Sequence, residues 1–206
     1  MSTRANQRKD TEHALDLEAL AREIRAWGRE LGLAAVGISG VDTSAATPHL
    51  RAWLAQGRHG EMGYMARHAP LRADPTQLLP NALRVISARI DYRPRDDDPQ
   101  WVGREAGRVA DGNAAVVSIY ARGRDYHKVL RDRLQKLATR VEQRAGSFGH
   151  RVCTDSAPVF EIEFARQAGL GWRGKHTLLL SQDAGSMFFL GEILTDLPLP
   201  VDAPAT

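Results

Sequence analysis

The chain has 206 residues, of which 43% are hydrophobic and 26% are charged, and its formal net charge is +3. These values predict one well-packed domain and exclude a chain that is disordered throughout. The single cysteine, Cys153, excludes a disulfide framework and an iron–sulfur cluster held by this chain alone.

No part of the sequence points to a membrane or to export. No apolar run approaches the roughly 18 residues that a spanning helix needs. Residues 1–10 are polar and lack the apolar core of a secretory signal. We therefore expect a soluble, cytoplasmic protein whose residues 1–12 form a disordered tail.

Apolar periodicity predicts the elements of the first part of the chain. Apolar residues recur at helical spacing over 17–31, and Gly32 ends that helix. A short apolar run predicts a strand over 34–38. The proline after Thr47 predicts the start of a second helix. The stretch 57–80, rich in Gly, Pro, His and Met, is predicted to be irregular.

The middle of the chain contains its strongest helix pattern. We predict a strand over 85–90, a polar loop over 93–111 that includes the acidic run 96–98, and a strand or strand edge over 114–120. Apolar residues then keep a period of 3.6 over 126–146, which predicts a long amphipathic helix.

Strand and turn patterns fill the last third. We predict a strand over 150–154, followed by a helix that begins at residues 155–158 and ends before Gly169. Apolar runs at 177–181 and 186–190 around a Gln-Asp-Ala-Gly turn predict a hairpin.

The order of these elements sets the fold class. Helices and strands are interleaved, and the predicted hairpin comes last. This order predicts an α+β domain over residues 13–200, in which helices cover a mixed sheet.

A glycine-rich segment lies between the last predicted helix and the hairpin. Gly169 to Gly174 match the dinucleotide fingerprint G-x-G-x-x-G, but they follow a helix and lead into a strand, the reverse of what a dinucleotide site needs. Lys175 extends the match towards a P-loop, yet His176 stands where Ser or Thr must hold magnesium. What remains is a turn over 174–177 whose glycine lets a ligand approach the backbone, or a plain helix-to-strand connector.

Three polar side chains stand where elements begin or end. Asp155 follows a strand, the position at which α/β sheets present catalytic groups, although a helix N-cap is the simpler interpretation. Asp125 fits the N-cap of the long helix, and His127 lies in its first turn, where the helix dipole disfavours a cation. A functional use of His127 and a solvated helix start both stay open. The remaining histidines show no trusted metal-ligand spacing, so we predict no metal site.

Several short segments, taken together and in order, are more specific than any of these patterns alone. They are GEMGYM (60–65), RADP (72–75), LLP (78–80), YARGRDYHKVL (120–130), DSAPV (155–159), AGLGW (168–172), GKHT (174–177) and FFLGEILT (188–195). The set resembles the N-terminal region of tRNA epoxyqueuosine reductases, and the resemblance runs over about 17–198.

The resemblance implies both a fold and an activity. It implies an oxidoreductase that reduces epoxyqueuosine to queuosine at the wobble position of a tRNA, the last step of queuosine biosynthesis. It also implies a nitroreductase-like domain that binds cobalamin. In the family, a module with two iron–sulfur clusters follows, and then helical repeats that help to hold the tRNA.

The resemblance also implies roles for individual residues. Asp155 would be the proton donor, and it would therefore have to hold a proton near neutral pH. The residues that would contact the cobalamin are Arg72, Ser118, Tyr126, His127, Asp155, Gly174, Lys175, His176, Thr177, Leu179, Ser181 and Leu190.

The sequence departs from the family pattern at a few points. It ends at Thr206, where the cysteine-rich cluster motifs are expected to begin, so 201–206 would start a linker to a missing iron–sulfur domain. The chain would then be a fragment or the product of a split gene, a monomer that takes electrons from another module. Arg173 and Leu178 stand where Ile and Asn are expected.

Three alternatives stay open on the sequence. The chain could bind cobalamin without turnover. It could be similar to reductive dehalogenases, which share a related cobalamin domain, or to nitroreductase-like proteins, which bind flavin.

Overall fold

The computed structural model of the chain describes residues 15–93 and 98–205. The predicted tail over 1–12 and the acidic residues 96 and 97 lie outside this part. The helices are α1 (Leu17–Glu30), α2 (Thr47–Ala55), α3 (Gly63–Arg67), α4 (Ala69–Ala73), α5 (Trp101–Ala110), α6 (Tyr126–Ala145) and α7 (Glu161–Gln167). The strands are β1 (Ala35–Gly40), β2 (Arg84–Asp91), β3 (His150–Thr154), β4 (Trp172–Arg173), β5 (Leu179–Leu180) and β6 (Phe188–Thr195).

The architecture is an α+β fold around a four-stranded sheet, as the order of elements predicts. The strand order is β1-β2-β6-β3, which places β6, the last strand, in the interior of the sheet. All three pairings are antiparallel, so the expectation of a mixed sheet was wrong. Strands β4 and β5 form a separate two-stranded sheet.

The two faces of the sheet are covered by different helices. On one face Ile193 packs with Leu130 and Leu134 of α6 and with Leu20 of α1, all of them fully buried. Gly191 keeps this face close to α6, because a Cβ there would lie 2.8 Å from the Leu134 side chain.

The opposite face packs against α7. Phe164 of this helix is fully buried against Val85 and Leu194, and Cys153 belongs to the same cluster. Each large apolar side chain buried in this way contributes about 1.5–3 kcal/mol. The sheet is therefore covered on both faces, and the loops at its ends are left to form a site.

Two segments predicted to lack helices contain them. The stretch 57–80, predicted to be irregular, holds α3, α4 and a short 3-10 helix, Pro75–Gln77, whose first turn is capped by Asp74. The predicted loop 93–111 contains α5, an amphipathic helix none of whose residues is buried in the core. Ion pairs of Glu105 with Arg108 and Arg122 hold α5 instead.

Two strand predictions were also wrong. Residues 114–120 form no strand, because their side chains are mostly exposed and have no partner strand to pack on. The two arms of the predicted hairpin meet only at a single bridge between Ser181 and Gly185. Leu179 and Leu180 pair with β4 instead, and β6 pairs with β2 and β3.

Residues 201–205 pack back onto the domain. The Asp202 carboxylate accepts a hydrogen bond from the backbone N–H of Ile38 at 2.8 Å. It also forms an ion pair with Arg25 at 2.6 Å. The predicted limits of the domain and of a linker stay predictions. Across 15–93 and 98–205, no helix is both long and apolar enough to cross a membrane.

Candidate active site

Three side chains form a hydrogen-bonded line where β3 ends and α6 begins. His127 lies between two carboxylates, with Nδ1 2.9 Å from Oδ1 of Asp125 and Nε2 2.9 Å from Oδ2 of Asp155. Asp125 also accepts a hydrogen bond from the backbone N–H of His127 at 3.0 Å, which confirms it as the N-cap of α6. The line therefore links a helix start to the turn that carries Asp155.

Asp155 lies in a turn and not at the start of a helix. Its φ is 45°, a left-handed conformation that is uncommon for a residue with a side chain. The chain turns back here, so α7 begins only at Glu161, with Phe160 at its N-cap. The predictions that this helix begins at residues 155–158 and that Asp155 caps it were wrong. The turn leaves the Asp155 side chain about half exposed.

The two carboxylates explain how a histidine is tolerated in the first turn of α6. The hydrogen bond to Asp155, and after it the one to Asp125, raise the pKa of His127. The hydrogen bond between His127 and Asp125 also lowers the pKa of Asp125. A cation at a helix N-terminus is disfavoured by the dipole, but two adjacent carboxylates outweigh that cost. His127 can therefore carry a proton close to Asp155.

Aromatic rings extend from this line across the sheet end. The ring of Tyr126 stacks on Phe189 with centroids 3.8 Å apart and planes 4° apart, and it also stacks on His127 at 3.9 Å. Tyr92 contacts Phe189 at 4.8 Å and the edge of Tyr120 at 6.5 Å. This packing fixes the direction in which the His127 ring points.

Two glutamates act electrostatically on each other, and one of them, Glu161, also interacts with Asp155. Glu161, the first residue of α7, has its pKa raised to about 7, first by burial and then by the charge of Asp155, while Arg72 acts in the opposite direction. Glu192 of β6 is fully buried, and burial together with the charge of Glu161 raises its pKa well above the usual range. Sequence reasoning missed both residues. The available signal was a glutamate inside the apolar run FFLGEILT.

Arg72, a predicted cobalamin contact, lies near Glu161. Burial lowers its pKa, and the charge of Glu161 opposes this effect. One guanidinium nitrogen, Nη1, is buried without a hydrogen-bond partner. Such a donor is costly to leave unpaired and is available to an acceptor on a ligand.

A cavity of about 510 Å³ opens beside Glu161. Leu50 and Trp53 of α2 line one side, and Arg173 and Thr177 from the glycine-rich segment line another. The structure thus brings part of that segment to the same cavity as Glu161.

The glycine-rich turn is held by its own contacts. The backbone N–H of Gly174 donates to the carbonyl of Leu178 at 2.9 Å, and that of Thr177 donates back to Gly174 at 2.9 Å. A Cβ at residue 174 would lie 2.6 Å from the His176 ring and 2.9 Å from the Leu180 side chain, so a larger residue here would require these side chains to move. Thr177 has a φ of 72°, which is a strained conformation for a β-branched residue. Lys175 is exposed next to it.

The other predicted contacts occupy different environments. Ser118 is exposed immediately before a short 3-10 helix, Ile119–Ala121. Leu179 is buried in a small apolar cluster against which Leu190 packs. Ser181 is buried, and its hydroxyl accepts a hydrogen bond from the backbone N–H of Ala184 at 3.1 Å. In the described part of the chain, no group of three or more His, Cys, Asp or Glu is placed to hold a metal ion.

Comparison with known proteins adds a family to this geometry. The family model described as Epoxyqueuosine reductase QueG, DUF1730, matches residues 72–156, which include Asp125, His127 and Asp155. The epoxyqueuosine reductase of Burkholderia pseudomallei (strain K96243) is 60% identical over 197 residues, which cover 91% of this chain and 48% of that protein. This chain is therefore similar to the epoxyqueuosine reductases over nearly all of its own length. It spans about half the length of the curated relatives that it matches.

Solved structures share the fold. The epoxyqueuosine reductase of Streptococcus thermophilus matches with a TM-score of 0.72 at 24% identity, over 90% of this chain and 48% of that one. A crystal structure of epoxyqueuosine reductase with an epoxyqueuosine-modified tRNA-Tyr stem loop matches with a TM-score of 0.71 at 21% identity, over 93% and 49%. A reductive dehalogenase, whose structure suggests a mechanism for B12-dependent dehalogenation, matches with a TM-score of 0.50 at 19% identity, over 94% and 22%.

Proposed function

We propose that this chain forms the cobalamin-binding part of an enzyme that reduces epoxyqueuosine in tRNA to queuosine. The observation that carries the proposal is the Asp125–His127–Asp155 line, which lies inside the segment that matches the epoxyqueuosine reductase model. The names of the close relatives support the reaction, and the structure of a family member with a modified stem loop supports tRNA as the substrate.

The reaction needs protons as well as electrons. Opening an epoxide to an alkene breaks two C–O bonds, forms a C=C bond, consumes two electrons and two protons, and releases the oxygen as water. Cobalamin, when bound, would supply the electrons to the substrate carbon. The protein then has to bind the RNA, place the epoxide and deliver the protons.

The described residues fit a large ligand with polar groups at its edge. Arg72 offers a buried guanidinium N–H that lacks a partner. Next to the predicted contacts Ser118 and Thr177, the exposed side chains of Val117 and Leu178 offer apolar surface. The residues that would hold the cobalamin or support its binding loop are Arg72, Ser118, Tyr126, His127, Gly174, Lys175, His176, Thr177, Leu179, Ser181 and Leu190. Leu179 and Ser181, being buried, would act from behind the loop.

Asp155 would give a proton to the departing oxygen. Its Oδ2 is 2.9 Å from Nε2 of His127, and hydrogen bonds to Asp155 and Asp125 raise the pKa of His127, which favours the protonated imidazole. His127 would orient the carboxyl group and stabilise the carboxylate that remains after the proton has left. Asp125 would fix the imidazole from its other nitrogen.

A reconstituted reaction tests the assignment. The 206-residue chain is mixed with reduced cobalamin, an epoxyqueuosine-containing tRNA stem loop and a chemical reductant, and queuosine is measured by mass spectrometry. We expect Asp155→Asn to lower the rate by about 10²–10⁴-fold, the usual contribution of a positioned acid. Asp132→Asn, which changes an exposed carboxylate on α6, is the matched control. Parental rates for Asp155→Asn would refute the proton-donor role.

A second candidate, binding of cobalamin without turnover, is favoured by one observation. Its single cysteine, Cys153, cannot hold an iron–sulfur cluster, so electrons would have to come from outside these 206 residues. In the same experiment, a corrin absorption spectrum with no queuosine would support pure binding, and a flavin spectrum would favour the nitroreductase-like alternative. The monomeric state, the cytoplasmic location and the external electron-transfer module stay predictions.

A further inference from the structure

The cavity of about 510 Å³ lies between α2 and the start of α7. Leu50 and Trp53 of α2 line one side, and Phe160 and Ile162 line the other. Helix α2 has no buried residue, so these two side chains border the cavity and not the core. The volume falls within the range of roughly 300–1,000 Å³ that small-molecule sites have, and a mostly apolar lining is typical of such sites. The cavity is therefore suited to a ring-sized part of a substrate.

One carboxyl group in the lining has no partner. The side chain of Glu161, the first residue of α7, forms no hydrogen bond and no ion pair in the described part of the chain. The residue is only partly buried, and its oxygens are not fully enclosed, in contrast to those of Glu192. The other acid of the lining, Glu163, is already paired with Arg166 at 2.7 Å. Of these two acids, Glu161 is therefore the one available to a ligand.

The surroundings of Glu161 favour a ligand with a positive charge. Arg72 is the cation that acts on it, but the two side chains form no ion pair with each other. Burial and the charge of Asp155 outweigh this arginine and raise the pKa of Glu161 to about 7. An ammonium group in the cavity would supply the missing positive charge and would favour the carboxylate form. The ring of Trp53 suits the same ligand, because the face of an indole attracts cations.

Epoxyqueuosine contains a group with this chemistry. Its epoxide is part of a cyclopentane ring, and a secondary amine joins the neighbouring carbon of that ring to the methylene arm of the 7-deazaguanine base. The amine is basic and carries a proton at and below neutral pH. We propose that the cavity binds this arm of the substrate, with the Glu161 carboxylate as the counter-ion of the ammonium group and Trp53 as an aromatic wall. The inference rests on the proposed function, from which it takes the substrate.

The position of the cavity in the chain fits this assignment. Its lining includes Val159, in the short segment between the turn of Asp155 and α7, and Thr177 of the glycine-rich turn. The ammonium and the epoxide are on adjacent ring carbons, so a residue that binds one also places the other. Glu161 would thus determine which base is accepted, and Asp155 would protonate the oxygen.

Binding of short RNAs to the 206-residue chain tests the inference without cobalamin and without turnover. Two versions of one stem loop are compared by titration calorimetry, with either epoxyqueuosine or guanosine at the wobble position. The ratio of the two Kd values removes the contribution of the phosphates, which is the same in both. We expect the wild type to bind the epoxyqueuosine stem loop at least about tenfold more tightly, the usual effect of a hydrogen bond to a charged group.

Variants assign this preference to the cavity. Glu161→Gln should bring the ratio close to one, and Glu161→Asp, which keeps the charge, should retain part of the preference. Glu142→Gln is the matched control and should keep the wild-type ratio, because it removes an exposed carboxylate from α6, on the other face of the sheet. Thermal unfolding checks that each variant is folded. If Glu161→Gln does not fold, Trp53→Leu decides, with an expected loss of about two- to fivefold in the ratio.

The outcomes separate this inference from the proposed function. A wild-type ratio near one, no binding of either stem loop, or a wild-type ratio in Glu161→Gln refutes the cavity as the ammonium site. An unchanged ratio in Trp53→Leu refutes it where that variant has to decide. The proposed function fails instead if the reconstituted wild type forms no queuosine. A chain that prefers the modified stem loop without turnover keeps the binding site, and a chain that forms queuosine without the preference keeps only the reduction.

Discussion

A single imidazole ring organises the site at the scale of residues. His127 is hydrogen-bonded to a carboxylate through each nitrogen, so its protonated form is favoured in the folded protein. The side chain is about half exposed, and solvent therefore moderates this effect. The arrangement couples the charge of the site to the stability of the fold.

This coupling predicts a stability effect that depends on pH. A pKa raised by folding contributes stability below the unfolded value, about 6.5 for His, and the contribution is lost as the pH rises through the folded value. His127→Gln should therefore lower Tm more at pH 6 than at pH 9, as measured by thermal unfolding. His49→Gln, which alters an exposed histidine of α2, should show no such difference. Equal losses of Tm at the two pH values for His127→Gln would contradict the account.

Residue-level chemistry was only partly accessible from the sequence. Asp155 and His127 could be singled out because strand ends and helix starts carry functional groups. Their direct contact depends on the left-handed turn at Asp155, which no local pattern indicated. Glu161 and Glu192 were missed because their interaction joins residues 31 positions apart, and only the packing of α7 on the sheet brings them together.

At the scale of elements, burial decided which predictions were right. Helices α1 and α6 and strand β2 each bury a regular set of apolar residues, so their periodicity predicts them closely. Helix α5 buries none and was predicted as a loop. Strand β6 was recognised in part, but its partners were not, because pairing with β2 and β3 joins segments that are distant in the chain.

Close packing between β6 and α6 predicts the effect of an added methyl group. In Gly191→Ala the new Cβ would lie within 2.9 Å of two buried side chains, those of Leu130 and Leu134. We expect a loss of about 1–3 kcal/mol in the free energy of unfolding, measured with urea. The control is Gly107→Ala in α5, where a Cβ meets no atom within 4 Å and helix propensity should add up to about 1 kcal/mol. An unchanged free energy of unfolding in Gly191→Ala would show that β6 and α6 can move apart to admit a methyl group.

At the scale of the whole molecule, the sheet and the site depend on the same strands. Strand β3 leads into the turn of Asp155, and β6 carries both Phe189 of the aromatic stack and Glu192. The α+β class followed from the order of elements. The antiparallel order β1-β2-β6-β3 did not, because long-range pairing leaves little trace in local sequence.

The lone thiol of the chain lies next to this junction and can report on its opening. Cys153 is 1% exposed, and its pKa of about 11 leaves almost no reactive thiolate at neutral pH. A maleimide or disulfide reagent should therefore modify the native protein only as fast as β3 separates from β6 and from the covering helix α7. The rate of labelling under native conditions would measure the rate of that separation. Rapid modification without denaturant would show that the edge of the sheet opens by local unfolding.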